Sequence, residues 1–147
     1  METLFFAEPA LCTSFNKVLI VEDEPFWQLL IERALKKIDD RIVVKFTENA
    51  NQALQELEKS ADFDFIIADH LLSGSLTGLD LWDTLAEKKS EIPYILISGI
   101  NKDNFFDRLM PYRTEMVPQF IEKPVSIREL SKKLNEAFIS FSSKTRS

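Results

Sequence analysis

Residues 18–25 read Val-Leu-Ile-Val-Glu-Asp-Glu-Pro, and this stretch decides the fold. An unbroken apolar run, Val18 to Val21, suits a strand covered on both faces, because a strand with one wet face alternates apolar and polar residues. Three acids follow at once. Pro25 then suits the first turn of a helix, where its fixed φ and missing N–H cost nothing. Leu30, Ala34 and Ile38 give that helix an apolar stripe at a spacing of four, so it is expected over residues 25–38.

The same alternation recurs downstream. Strands are expected at residues 42–46, 63–68, 94–97 and 119–122, ending near Asp69, Ser98 and Lys123 in the last three cases. Helices are expected at 49–59, with Ala53, Leu54 and Leu57 inward, at 79–88, around 105–110, and from Ser126. Ser126 and Glu129 have capping-box spacing, and Ile127, Leu130, Leu134, Ala137 and Phe138 form the last stripe. Strand–helix alternation calls for an α/β fold on a parallel sheet. Runs one, three and four are continuously apolar, whereas run two carries Arg41 and Lys45 and run five abuts Pro118, which belongs at an edge. Strands two and five are therefore the edges. The order 2-1-3-4-5 satisfies this, with right-handed crossovers placing helices on both faces, and the expected fold is a flavodoxin-like (βα)5 three-layer sandwich.

Composition narrows the function. A chain of 147 residues, 45% hydrophobic, can bury the core of one domain. With 18 basic against 24 acidic residues, the net charge of −6 argues against a nucleic-acid-binding surface. One cysteine, Cys12, excludes an intramolecular disulfide, and one histidine, His70, excludes a multi-histidine zinc centre. No apolar run approaches the roughly 20 residues that span a bilayer. The apolar patch in residues 1–12 is interrupted by Glu2, Glu8 and Pro9 and follows no basic region, so it does not read as a signal peptide. The expectation is a cytoplasmic protein that touches neither membrane nor nucleic acid.

Ligands of open parallel sheets bind beyond the carboxyl ends of the strands. Those positions here are Glu22-Asp23, Asp69, Ser98 and Lys123. Taken singly, Asp69 or Ser98 reads equally as a cap or turn residue, Glu24 as an acid favouring a helix N-terminus, and Lys123 as a solvated surface lysine. Taken jointly, they place three carboxylates, a hydroxyl and an ammonium in one crevice. Carboxylates so close repel unless a cation joins them, and oxygen donors without imidazole or thiolate suit Mg²⁺. An Asp held at a strand end can act as a nucleophile toward phosphorus.

This ordered set resembles the receiver domain of two-component response regulators, over about residues 17–141. VLIVEDEP matches the acidic pair, FIIADHLLSG the phosphoacceptor strand, ILISG the hydroxyl and FIEKP the lysine. The resemblance implies that Asp69 takes a phosphoryl group from a histidine kinase or histidine phosphotransfer protein. Glu22, Asp23, Asp69 and the backbone carbonyl of Leu71 would hold Mg²⁺, and Ser98 and Lys123 would bind phosphoryl oxygens. Gly99 matches the small residue that leaves the acceptor accessible, and Lys123-Pro124 matches a bond that is often cis in the family. Ser98 and Phe120 would form the switch, while core packing alone would also explain Phe120. Leu71 and Ile100 match positions that tune phosphoryl lifetime in the family.

The chain departs from the family's pattern in places. Asp69 to Gly78 is one residue longer than the common spacing, Ser73 replaces a proline, and the small-residue pair before strand five is absent from residues 113–118. Phe105, Phe106, Met110 and Tyr112 are read mostly as core, His70 as an exposed residue without function, and Trp27 and Trp82 as packing residues. Residues 1–16 form an N-terminal extension, whose Leu4, Phe5 and Phe6 are available to dock on the domain or on a second copy in a homodimer. Residues 142–147 form a C-terminal tail. With so short a tail, the signal is expected to leave through a protein partner. The expected function is thus a single-domain, phosphorylation-controlled binding module rather than a turnover enzyme. The rival is a phosphorylation-independent interaction protein of the same fold. An aspartyl-phosphate phosphatase would need an Asp at position 71, where Leu71 stands. A phosphate-cradling loop is unsuited to Glu22-Asp23-Glu24 and to a chain with 3 glycines.

Overall fold

Apolar continuity produces the centre of the sheet. Strands β1 (Lys17–Val21), β3 (Phe65–Asp69) and β4 (Tyr94–Ser98) are buried along almost their whole length. Strands β2 (Val43–Thr47) and β5 (Gln119–Glu122) are partly exposed, as edges should be. All pairs are parallel and the order is β2-β1-β3-β4-β5, in agreement with the sequence reading. The computed structural model describes residues 17–60, 62–99, 104, 107, 118–123 and 126–146.

Four helices have bounds among the described residues: α1 (Pro25–Ile38), α2 (Ala50–Lys59), α3 (Gly78–Glu87) and α4 (Ile127–Arg146). Asn104 and Asp107 are also helical, but most of the helix expected around 105–110 lies outside the described residues. Also outside them are Phe105, Phe106, Met110, Tyr112, Ile100, Pro124 and the N-terminal extension. Helix α4 runs on to Arg146, through residues that the sequence reading assigned to a tail.

Successive strand residues point to opposite faces, so the strands feed two cores. Val18, Ile20, Phe65, Ile67, Ile95, Ile97 and Ile121 meet α1 and α4 on one face. Leu19, Val21, Ile66, Ala68 and Leu96 meet α2 and α3 on the other. The tilted Phe65–Phe138 ring pair, 4.5 Å apart, ties the middle of the sheet to α4. In α1 the buried residues are Ile31, Ala34 and Leu35. Leu30 and Ile38 of the expected stripe only flank that line, because 100° per residue rotates a spacing of four off the core axis.

Helix starts are fixed by side chains. Asn49 accepts the N–H of Gln52 at 2.9 Å, and Ser126 accepts that of Glu129 at 3.1 Å. Thr77 and Asp80 form a reciprocal capping box at α3 that the sequence reading did not identify. β3 starts two residues later than expected and takes in Asp69, so the carboxylate sits on the last residue of a paired strand.

Candidate functional site

Register assembles the site. Val21 pairs with Ala68, so Glu22 emerges beside Asp69; Asp69 pairs with Ile97, and Ser98 with Glu122. Lys123, the next residue, donates its N–H to the Ser98 carbonyl at 2.7 Å. The carboxyl ends of four strands thereby bring Glu22, Asp69, Ser98 and Lys123 to one rim of the sheet. Glu22 also donates its N–H to Thr47 at 2.9 Å, which extends the β1–β2 pairing to the acidic residue itself.

The carboxylates of Glu22, Asp23 and Asp69 each offer an oxygen within 4.8 Å of the others. Glu22 and Asp69 are buried and Asp23 is half-buried. The Lys123 ammonium lies 3.1 Å from Glu22 Oε1 and 3.4 Å from Asp69 Oδ2, with its side chain only 9% exposed. Asp69 also accepts the Leu71 N–H at 3.4 Å, and Glu22 Oε2 accepts that of Glu24 at 3.2 Å. Gln28 donates to the Glu22 carbonyl at 2.6 Å, fixing the start of α1 against the end of β1.

The electrostatics are unbalanced. Burial, then repulsion from Asp69, pushes the Glu22 carboxyl up from 4.5 to about 7 against the pull of Lys123. Burial raises the Asp69 carboxyl as well, with Lys123 and the backbone N–H groups of Leu71 and His70 pulling it back. One ammonium does not satisfy both acids. A further hard cation would restore their charge, and the donor set, carboxylate oxygens without sulfur or imidazole, fits Mg²⁺. An ionised carboxylate at a rigid strand end has the chemistry of a nucleophile, and Asp69 faces a crevice that already holds an ammonium.

The remaining residues singled out by sequence fall in different places. Ser98 is fully buried at the end of β4. Phe120 is half-buried and packs against the cluster on the α2/α3 face, one residue along β5 from the buried Ile121. Leu71 follows β3 and is 59% exposed, in the loop leading to α3. His70 is a correction: it is 3% exposed rather than solvent-facing, because its carbonyl accepts the Gly78 N–H at 2.8 Å and the returning chain covers it.

Two residues near the acids have roles there that the sequence reading does not assign. A Cβ on Gly78 would lie 2.2 Å from the Asp69 carbonyl oxygen and 2.7 Å from Leu96 Cδ1, so only glycine lets α3 close on the end of β3. The scarcity of glycine in the chain was the available signal. Trp27 packs against the α1/α4 cluster, as expected, and in addition has its ring centroid 4.3 Å from Lys123 Nζ. Its place in the turn just after the acidic pair was the only hint.

The response regulator receiver domain family model matches residues 18–135. A search of curated proteins finds no significant match. Among solved structures, the signal receiver domain of a putative Luxo repressor protein from Vibrio parahaemolyticus aligns with 21% identity and a TM-score of 0.71, over 89% of this chain and 95% of that one. The receiver domain of a sensor histidine kinase from Pseudomonas aeruginosa aligns with 21% identity and a TM-score of 0.67, over 84% and 98%; that structure has a magnesium ion coordinated in its active-site cleft. NtrX from Brucella abortus aligns with 25% identity and a TM-score of 0.73, over 90% of this chain and 28% of NtrX.

Proposed function

The chain belongs to the response regulator receiver domain family, and we propose that it is a phosphorylation-controlled binding module with Asp69 as phosphoacceptor. The observation that carries this reading is the convergence of three carboxylates within 4.8 Å and a nearly buried ammonium on the same two of them. An Asp69 carboxylate oxygen attacks the phosphorus of a phosphohistidine on a kinase or phosphotransfer protein. The P–N bond breaks with its electron pair on the imidazole, which takes a proton from solvent, as the new P–O bond forms.

Glu22, Asp23, Asp69 and the Leu71 carbonyl would hold Mg²⁺, which supplies charge neutralisation at the phosphoryl oxygens when bound. Lys123 exchanges its carboxylate partners for a phosphoryl oxygen, and Ser98 donates to another. Drawing Ser98 toward the phosphoryl group repacks the end of β4, and Phe120 on the neighbouring strand responds. The altered β4–β5 face then engages a protein partner, in the cytoplasm and without a direct nucleic-acid contact.

The test is NMR of the protein titrated with beryllofluoride, a phosphoryl mimic, in the presence of Mg²⁺. Saturable shifts at Asp69, Ser98, Phe120 and Lys123 are expected. Silence at these residues would instead favour an interaction protein that has kept the fold and works without phosphorylation.

A further inference from the structure

Trp27 has a second neighbour besides the core. Its indole packs onto the α1/α4 cluster on one side, the edge-to-face ring of Phe26 lies 5.5 Å away, and the Lys123 ammonium stands 4.3 Å from its centroid. It sits in the first turn of α1, which Pro25 starts and Gln28 ties to the Glu22 carbonyl, so the ring is held on a rigid element. The ammonium thus has three supports: Glu22, Asp69 and a π-face.

The three supports differ in what happens to them during the proposed reaction. The carboxylates are the groups a divalent cation would take, and that cation would then repel the ammonium. Lysine has a flexible stem and a strongly hydrated head, so an ammonium released by its carboxylates would swing into water. The negative face of an indole attracts a cation whatever the ionisation or ligation of its neighbours. We propose that Trp27 is a positioning residue that seats the Lys123 ammonium in the crevice once a cation occupies Glu22 and Asp69, holding it for a phosphoryl oxygen; this role rests on Asp69 being the phosphoacceptor.

The chain has two tryptophans, so Trp82→Phe leaves Trp27 as the sole indole reporter. In that background, Trp27 emission should change when Lys123→Met is added; an unchanged spectrum overturns the proposal whatever the fate of the phosphoacceptor reading. Beryllofluoride affinity, read by fluorine NMR at saturating Mg²⁺, should weaken about tenfold in Trp27→Leu and about threefold in Trp27→Phe, from the strength of a desolvated cation–π contact and its smaller benzene counterpart. Mg²⁺ affinity, read by thermal shift, should stay within about twofold, since carboxylates and not the ring meet the ion. Equal beryllofluoride affinity in Trp27→Leu, or an equal loss of Mg²⁺ affinity, overturns the role. If Trp27→Leu does not fold, Trp27→Phe decides alone: threefold weaker binding supports the seat and unchanged binding overturns it. If the wild-type protein binds no beryllofluoride, the phosphoacceptor reading falls and takes this role with it, an outcome distinct from binding that ignores Trp27.

Discussion

Replacing Glu22 with Gln should flatten the pH dependence of stability in the metal-free protein. Burial and Asp69 raise the Glu22 carboxyl from 4.5 to about 7, which corresponds to about 3 kcal/mol across the full window. The folded state holds this proton more tightly than the unfolded chain. Stability from it is therefore complete below pH 4.5, falls as pH rises, and is gone above about pH 7. Between pH 5.5 and 8, a range clear of the pI of 4.9, about 2 kcal/mol of that loss should appear. The substituted glutamine is nearly isosteric and cannot titrate; its amide oxygen can still accept the Glu24 N–H that Glu22 Oε2 accepts at 3.2 Å. Urea denaturation followed by circular dichroism, with a chelator present, gives the two profiles. Wild type should lose about 2 kcal/mol more than Glu22→Gln over this range, or about 4–8 °C in Tm. A residual slope of the same sign should persist in the variant, because burial raises the Asp69 carboxyl too. Parallel profiles would refute the claim that Glu22 is held unfavourably charged.

Three other perturbations probe the same region. Millimolar Mg²⁺ should raise Tm, by the equivalent of about 2.7 kcal/mol at a hundredfold excess over Kd, and by clearly less at pH 5.5, where protons compete for Glu22; differential scanning fluorimetry reads both. Gly78→Ala should cost about 2 kcal/mol or more in urea denaturation, because its methyl would lie 2.2 Å from the Asp69 carbonyl oxygen and 2.9 Å from its carbon, backbone atoms that cannot step aside. Lys123→Ala should still accept some phosphoryl group on Asp69 by intact mass, while the beryllofluoride-induced shifts at Ser98 and Phe120 in NMR are lost.

Most of the architecture was legible because burial on two faces leaves a simple mark. Val18–Val21, Phe65–Ala68 and Tyr94–Ile97 are apolar throughout and are the central strands; Lys45 and Pro118 mark the edges. The β3 boundary was less legible. Phe63 is buried like a strand residue, yet it lies against the Lys17 ammonium before strand pairing starts. The acids, Ser98 and Lys123 could be placed at one rim because parallel strands share a direction. Which of these side chains pair with one another could not be read, since that depends on contacts between distant residues. Lys123 meets Glu22 across 101 positions, and neither residue's neighbours in sequence announce that pair or the Trp27 ring beside it. His70 failed for a related reason: a histidine at a strand end looks exposed until the chain returning to Gly78 covers it.

The central claim is that Asp69 accepts a phosphoryl group in a site completed by Mg²⁺. Intact-protein mass after incubation with a small phosphodonor tests it most directly, with Mg²⁺, with chelator, and in Asp69→Ala. One added phosphoryl group is expected in the wild-type protein with Mg²⁺ and none in the other two arms. Phosphorylation that survives Asp69→Ala, or that proceeds equally in chelator, would contradict it.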